Sequence, residues 1–151
     1  MNKDKLLQFL LEARTKTYAG DRGEVKPAFS GSDQLEYEKG DWFYRDIYYS
    51  GNAKFIGLET IYFKDKPVWS MSYYGSCQGR DEKEIYKFLK EALMENWQEA
   101  RIWKRVDWKK EKYRYICEPD FEGSIEEMTG MEKILVNDEQ KYQFFYGGAL
   151  L

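Results

Sequence analysis

The sequence of 151 residues contains no histidine. Serine–histidine–aspartate catalysis, cysteine–histidine catalysis and every metal site with a histidine ligand are therefore excluded. The two cysteines, Cys77 and Cys117, lack the paired spacing of a zinc site and are too few for a disulfide-rich secreted scaffold. We therefore expect two free thiols in a cytoplasmic protein.

The sequence also lacks an apolar run long enough to span a membrane. The apolar residues at positions 6–11 are followed by Glu12 and Arg14, and no small-residue cleavage site comes after them. This pattern predicts neither a signal peptide nor a transmembrane helix. Phosphate-binding glycine loops, the nucleophile elbow of hydrolases and the acidic spacing of calcium loops are missing as well. We expect no cofactor and no metal.

Neither positive nor negative charge predominates in the chain. Charged residues make up 34% of it, both signs are interspersed, and the formal net charge is −3, so the sequence shows no electrostatic footprint for a phosphate backbone. Direct binding of nucleic acid is not expected. Aromatic residues are abundant, with 13 Tyr, 9 Phe and 5 Trp, and most of them lie in alternating segments. Such segments are typical of β-strands.

Two stretches carry apolar residues at the spacing of an amphipathic helix. The first helix is predicted over about 3–18, with Gly20 as its stop. The second begins after Asp81, which together with Glu84 resembles a capping box. Residues 21–33 show no periodicity and predict a long surface loop, whose tip around Gly23 is a candidate lid. The two apolar stripes are Leu6, Phe9, Leu10 and Ala13, and Ile85, Phe88, Leu89 and Ala92.

Alternating segments predict strands over 35–38, 42–49, 55–63 and 68–74, and again over 113–117, 128–136 and 142–146. Residues 39–41 and 64–66 read as turns, with Pro67 at the exit of the second. The segment 98–112, which lies among Trp97, Trp103 and Trp108, fits either an extension of the second helix or a loop.

The two halves of the chain resemble each other. An offset of 73 positions pairs Gly57 with Gly130 and Glu59 with Glu132, and the same offset pairs Gly75 with Gly148. The two predicted helices align at an offset of 79 positions. We therefore expect a single α+β domain over 1–151, mainly antiparallel sheet with two amphipathic helices. Two pseudo-symmetric repeats of one helix and three or four strands, approximately 3–75 and 81–148, would build it.

The segments LEYEKGDWFYRDIYYSG, FIGLETIYFKDKPVWSMSYYG and IYKFLKEAL, with the closing YGG, resemble a family of uncharacterised bacterial domains of unknown function. Members of that family occur alone or C-terminal to Cro/CI-type (XRE) helix-turn-helix regions. The resemblance covers about 6–148 and carries no assigned activity. Because no helix-turn-helix segment precedes the first helix here, the resemblance implies sensing for a regulator rather than DNA reading.

Two glutamates stand where the strand pattern expects apolar residues. Glu59 shares a strand face with Ile61 and Phe63, and Glu132 shares one with Ile134. A carboxylate on such a face is costly to bury unless it is paired, protonated or exposed to a cavity. One interpretation is a pocket that binds a small cationic or amphiphilic ligand, with candidate residues Glu59, Glu132, Trp42, Tyr44, Trp69 and Tyr73.

The alternative is that both glutamates form structural ion pairs, for example with Arg45 or Lys133, or face solvent at an edge. The aromatic residues would then be ordinary core, and Asp46 would serve a pairing with Arg45 at a strand edge.

For function, we expect a non-enzymatic domain that senses a small molecule or a partner. The alternatives are a module that forms a homodimer or docks on a regulator protein without any small ligand, and a carboxylate-based hydrolase that uses Glu59 with Glu132 or with Asp46.

Overall fold

The computed structural model describes residues 2–102, 104–120 and 124–151. A helix followed by four strands occurs twice along the chain. The first set is α1 (Lys3–Lys16), β1 (Asp33–Lys39), β2 (Trp42–Gly51), β3 (Lys54–Phe63) and β4 (Lys66–Cys77). The second is α2 (Glu82–Glu95), β5 (Val106–Lys110), β6 (Tyr113–Pro119), β7 (Glu127–Val136) and β8 (Glu139–Leu150). The predicted α+β class with a mainly antiparallel sheet is confirmed.

All eight strands belong to one antiparallel sheet in the order β1-β2-β3-β4-β8-β7-β6-β5. The last strands of the two halves, β4 and β8, pair in the middle, with Tyr73 opposite Tyr146. The buried faces of both helices and one face of the sheet form a single hydrophobic core cluster. We call this side of the sheet the inner face and the opposite side the outer face.

Strand alternation decides which side chains enter the core, because successive side chains of a strand point to opposite faces. In β4, Trp69, Met71, Tyr73 and Cys77 are buried, while Ser72 and Tyr74 between them are exposed. The helical stripes expected from the sequence are also buried, with Leu6, Phe9, Leu10 and Ala13 in α1 and Ile85, Phe88, Leu89 and Ala92 in α2.

The hairpin turns are tighter than the sequence indicated. Lys64 and Asp65 both have positive φ, at 50° and 61°, and β4 already begins at Lys66, so that Pro67 lies inside the strand. Two positive-φ residues in a two-residue connection are typical of a type I′ turn, whose twist matches the flanking strands. The second hairpin repeats this turn at Asn137 and Asp138, with φ of 49° and 66°.

Three local predictions need correction. Helix α1 ends at Lys16 rather than near residue 18, because residues 17–21 continue as turns. Asp81 makes no side-chain capping hydrogen bond, since its backbone ψ of 28° departs from the extended conformation that a capping side chain needs. Gly23 is not the tip of a lid: its carbonyl accepts a hydrogen bond from the Glu36 amide, which ties the loop to β1.

The undecided segment after the second helix neither extends the helix nor forms a plain loop. Helix α2 ends at Glu95, residues 96–102 form turns, and Val106–Lys110 form the edge strand β5, which pairs with β6. Trp103 lies outside the described residues. In the described part of the chain, neither helix has the length and apolar character that a membrane crossing requires.

The proposed internal duplication stays a prediction, although the geometry of the two halves corresponds closely. Both central hairpins carry a register shift at equivalent places, between Ile61 and Tyr62 and between Ile134 and Leu135. Tyr73 lies over Gly57, where a Cβ atom would come within 2.4 Å of the hydroxyl, and Tyr146 lies over Gly130 in the same way at 2.5 Å. In both halves the glycine therefore makes room for a tyrosine ring.

Candidate functional site

A cavity of about 370 Å³ lies between the two helices and the inner face of the sheet. Both helices, the turn after α1, the segment after α2, the start of β1 and strands β2, β3, β4 and β8 contribute to its wall. Nine aromatic side chains line it: Tyr18, Tyr44, Tyr48, Phe55, Tyr73, Tyr86, Trp97, Tyr142 and Phe144. The cavity is thus mainly a space between aromatic rings, which is the usual character of a small-molecule site.

The rings reach the cavity because of strand register. Tyr48 of β2 lies opposite Gly57 of β3, which lies opposite Tyr73 of β4. Because Gly57 has no side chain, the ring of Tyr73 can lie over the middle strand and its hydroxyl can reach the inner face of β2. Further along, the Phe55 ring lies 5.9 Å from the ring of Tyr142 in a stacked arrangement, so that rings from both halves of the chain meet.

Two buried carboxyl groups stand side by side in the wall. Asp46 and Glu59 are direct cross-strand neighbours on β2 and β3, and they are only 4% and 2% exposed. Glu59 is neutralised by Arg14 of α1, whose Nε and Nη2 lie 3.0 and 2.9 Å from Oε2 of Glu59. The guanidinium of Arg14 also donates to the backbone oxygen of Arg101 at 3.3 Å, which joins α1 to the segment after α2.

Asp46 has a different environment. The Tyr73 hydroxyl donates a hydrogen bond of 2.7 Å to its Oδ1, and among the described residues no basic side chain lies within ion-pair distance of it. Burial, and next the charge of Glu59, raise the pKa of Asp46 to about 7, against the opposing effect of the Tyr73 hydrogen bond. Asp46 is therefore poised to change charge near neutral pH.

The remaining charges of the cavity wall are balanced or exposed. Arg101 forms a two-point ion pair with Glu132, with distances of 2.9 Å from Nε and 2.7 Å from Nη2. Lys90 lines the cavity, and its ammonium group pairs with Asp21, which is not part of the wall. Two further acids of the wall, Asp33 and Glu82, are exposed at its rim. Asp46 is thus the buried charge of the wall that lacks a basic partner among the described residues.

Three of the six candidate residues from the sequence line this cavity, namely Glu59, Tyr44 and Tyr73. Glu132 does not: it is 0% exposed, and its carboxylate is held by Arg101, by the hydroxyl of Tyr115 and, at 3.5 Å, by that of Tyr142. The pairing of Glu59 with Glu132 as two acids of one cleft is therefore not formed.

The two tryptophans also lie elsewhere. Trp69 is fully buried in the core, and its Nε1 has no hydrogen-bond partner among the described residues. Trp42 packs against Phe9 and Phe63 near the start of α1, with ring centroids 5.5 and 4.6 Å away. Trp69 is thus a core residue, and Trp42 is partly buried against the core.

Both buried glutamates form ion pairs, as the alternative interpretation expected, but with Arg14 and Arg101 and not with Arg45 or Lys133. Arg45 pairs with Glu36 and Lys133 with Glu118, because all four side chains lie on the outer face. For the same reason Asp46 does not pair with Arg45: adjacent residues of a strand point to opposite faces. The sequence did contain the signal for Asp46, since the period of two places it on the inner face with Tyr44.

A family model described as "Domain of unknown function (DUF5680)" matches residues 46–151. The match begins at Asp46 and includes Glu59, Tyr73 and Arg101, while α1 with Arg14 precedes it. No curated protein and no solved structure matches the chain. The matched segment is well over half of the sequence, and the chain therefore belongs to the DUF5680 family of domains of unknown function.

Proposed function

We propose that this protein is a non-enzymatic, cytoplasmic sensing domain that binds a small organic cation in the aromatic cavity, with Asp46 as its counter-ion. The observation that carries the proposal is the buried carboxyl of Asp46, which has no basic partner within the described residues and lies in a cavity of about 370 Å³ lined by nine aromatic side chains. Aromatic faces attract cations, and the attraction is stronger where water is excluded.

The charges of the wall support a monovalent ligand. Glu59 is compensated by Arg14, and Arg101 by Glu132, so that an ionised Asp46 leaves about one negative charge for the ligand to neutralise. A neutral ligand would leave that charge buried without a partner, which is unfavourable. Tyr44 and Tyr73 remain neutral, because burial raises the pKa of both hydroxyls.

The connection to a regulator belongs to this proposal as well. Residues of both helices line the cavity, among them Arg14 of α1 and Tyr86 of α2. A ligand bound between the helices and the sheet would therefore change the position of the two helices relative to the sheet. A partner that contacts the helices, such as an XRE-type helix-turn-helix regulator, would read that change. Binding of a purified regulator of this type from the same genome, measured with and without the cation, tests this step.

The ligand experiment compares a cation with its neutral isostere. Calorimetry and thermal unfolding are measured with N,N,N-trimethylanilinium, with larger quaternary ammonium ions that carry longer apolar chains, and with tert-butylbenzene as the neutral isostere of the first. We expect at least one cation to bind and to raise the unfolding free energy by about 2.7 kcal/mol at 100 times its Kd. Since these cations do not titrate, their affinity should rise as the pH passes upward through the pKa of Asp46.

Asp46→Asn keeps the shape of the side chain and should abolish the preference for the cation over the isostere. Asp41→Asn, in the exposed turn before β2, is the matched control and should keep that preference. The proposal fails if none of the cations binds, or if Asp46→Asn binds them as the wild type does.

A further inference from the structure

In the part of the chain that the structure describes, the outer face of the sheet carries no helix, and its centre carries no charged residue. Twelve neighbouring outward positions at the centre of β3, β4 and β8 contain only uncharged residues, although 34% of the chain is charged and Lys54, at the start of β3, points outward beside them. These positions are Ile56, Leu58, Thr60, Tyr62, Ser70, Ser72, Tyr74, Ser76, Gln143, Phe145, Gly147 and Ala149. Depletion of charge in the middle of a surface is a mark of the buried core of an interface.

Large side chains form one row across this face, which we call the outer ridge. It consists of successive cross-strand partners on five strands: Tyr49, Ile56, Tyr74, Phe145 and Met131. Tyr49, Ile56 and Tyr74 are 44%, 60% and 56% exposed. The rings of Tyr74 and Phe145 stack with their centroids 5.1 Å apart. Large apolar side chains exposed together in this way mark an interaction site.

Two rows further along the same strands, the side chains are small. This second row, which we call the outer shelf, consists of Thr60, Ser70 and Ala149, again direct cross-strand partners. Between ridge and shelf runs a row that contains Leu58, Ser72 and Gly147. The outer face therefore has a raised strip across five strands and, parallel to it, a low strip across the three central strands, which Arg45 of β2 and Glu127 of β7 bound in the same row.

We infer that the outer face is the interface of a homodimer, in which the outer ridge of each copy packs on the outer shelf of the other. A two-fold axis along the row between ridge and shelf exchanges the two strips, so one surface supplies both the raised and the low side of the contact. Such self-complementarity is what a two-fold interface requires, and it selects a second copy of this chain over an unrelated partner.

The available area agrees with this occupant. The five strands β2, β3, β4, β8 and β7 have ten to twelve residues each. At ~4.8 Å between strands and ~3.3 Å per residue, they present a face of about 800 Å². That is about the area that each partner buries in a specific protein–protein interface. Two such sheets would stack ~10 Å apart with their strands crossed by roughly 30°.

Sedimentation velocity and light scattering over a dilution series of the full chain test the inference. We expect a particle with twice the mass of one chain. Tyr74→Glu, in the ridge, should give a monomer because it buries a carboxylate in the contact, and Ala149→Lys, in the shelf, should do the same. Met94→Glu is the control: Met94 is 42% exposed on α2, on the other side of the molecule, and this variant should remain a dimer.

Mixing the two monomeric variants sharpens the test. In a heterodimer of Tyr74→Glu with Ala149→Lys, one ridge–shelf contact is unchanged and the other brings a glutamate near a lysine, so dimers should reappear only in the mixture. Circular dichroism and cooperative unfolding establish that both variants fold. The inference is overturned if the wild type is a monomer throughout, if Tyr74→Glu remains a dimer, or if the folded variants do not recombine. None of these outcomes depends on cation binding by the cavity.

Discussion

Replacing Asp46 by asparagine should change the way in which stability depends on pH. The carboxyl of an aspartate ordinarily has a pKa of 3.8, whereas that of Asp46 has a pKa of about 7 in the folded protein, because burial disfavours its charged form. Between these two values the folded state binds more protons than the unfolded state. Wild-type stability should therefore fall as the pH rises from about 4 to about 7, and it should level off above that.

A difference of one pH unit between the folded and unfolded pKa corresponds to about 1.36 kcal/mol, so the ionised carboxyl costs the folded protein about 4 kcal/mol above pH 7. Asparagine cannot ionise, and it still accepts the hydrogen bond from Tyr73, which is 2.7 Å long in the wild type. The new amide N–H groups introduce a penalty of about 1–3 kcal/mol if they find no acceptor, but this penalty is the same at every pH. Relative to the wild type, Asp46→Asn should thus gain about 3–4 kcal/mol between pH 4 and pH 8.

Urea unfolding of both proteins at a series of pH values measures this difference. The chain contains no histidine, so few other groups titrate between pH 5 and pH 8 to obscure it. Asp41→Asn, in the exposed turn before β2, is the control and should run parallel to the wild type over the whole range. If the stability difference between Asp46→Asn and the wild type is the same at pH 4.5 and at pH 8, the raised pKa of Asp46 is refuted.

Two substitutions and one thiol-reactivity assay test the buried interior of the protein. Glu132→Gln should destabilise the protein by about 3–5 kcal/mol in urea unfolding, because it leaves the guanidinium of Arg101 buried without its charged partner. The control Glu118→Gln, which removes a partly exposed ion pair with Lys133, should cost less than about 1 kcal/mol. Equal losses of stability in the two variants would contradict the two-point ion pair of Arg101 with Glu132. Gly57→Ala should cost about 1–3 kcal/mol, since its Cβ would lie 2.4 Å from the hydroxyl of Tyr73, and a stability equal to that of the wild type would show that the ring does not lie over the glycine. Both cysteine thiols should react slowly with an aromatic disulfide reagent at pH 8 and rapidly in urea, because burial raises their pKa to about 11; fast reaction of the folded protein would show that a thiol is accessible.

Much of the fold follows from local pattern, because side-chain direction repeats every two residues in a strand and every 3.6 in a helix. This periodicity was sufficient to predict two amphipathic helices, most strands and the hairpins of an antiparallel sheet. It also predicted that Glu59 and Glu132 face the apolar side, and both are buried. The periodicity did not predict where a strand or helix begins when the local backbone conformation sets that boundary, as at the turn residues Lys64 and Asp65 and at the N-cap of α2.

The sequence by itself determined which residues face the core: a carboxyl at position 46 shares a strand face with Tyr44 whatever the rest of the chain does. Only the tertiary structure decided what each of these residues meets there. Arg14 reaches Glu59 from a helix 45 positions away, and Arg101 reaches Glu132 from a turn, because long-range packing and not spacing along the chain brings those side chains together. The same packing places no basic side chain of the described residues in an ion pair with Asp46 beside the cavity, and this is why the candidate site is centred on it.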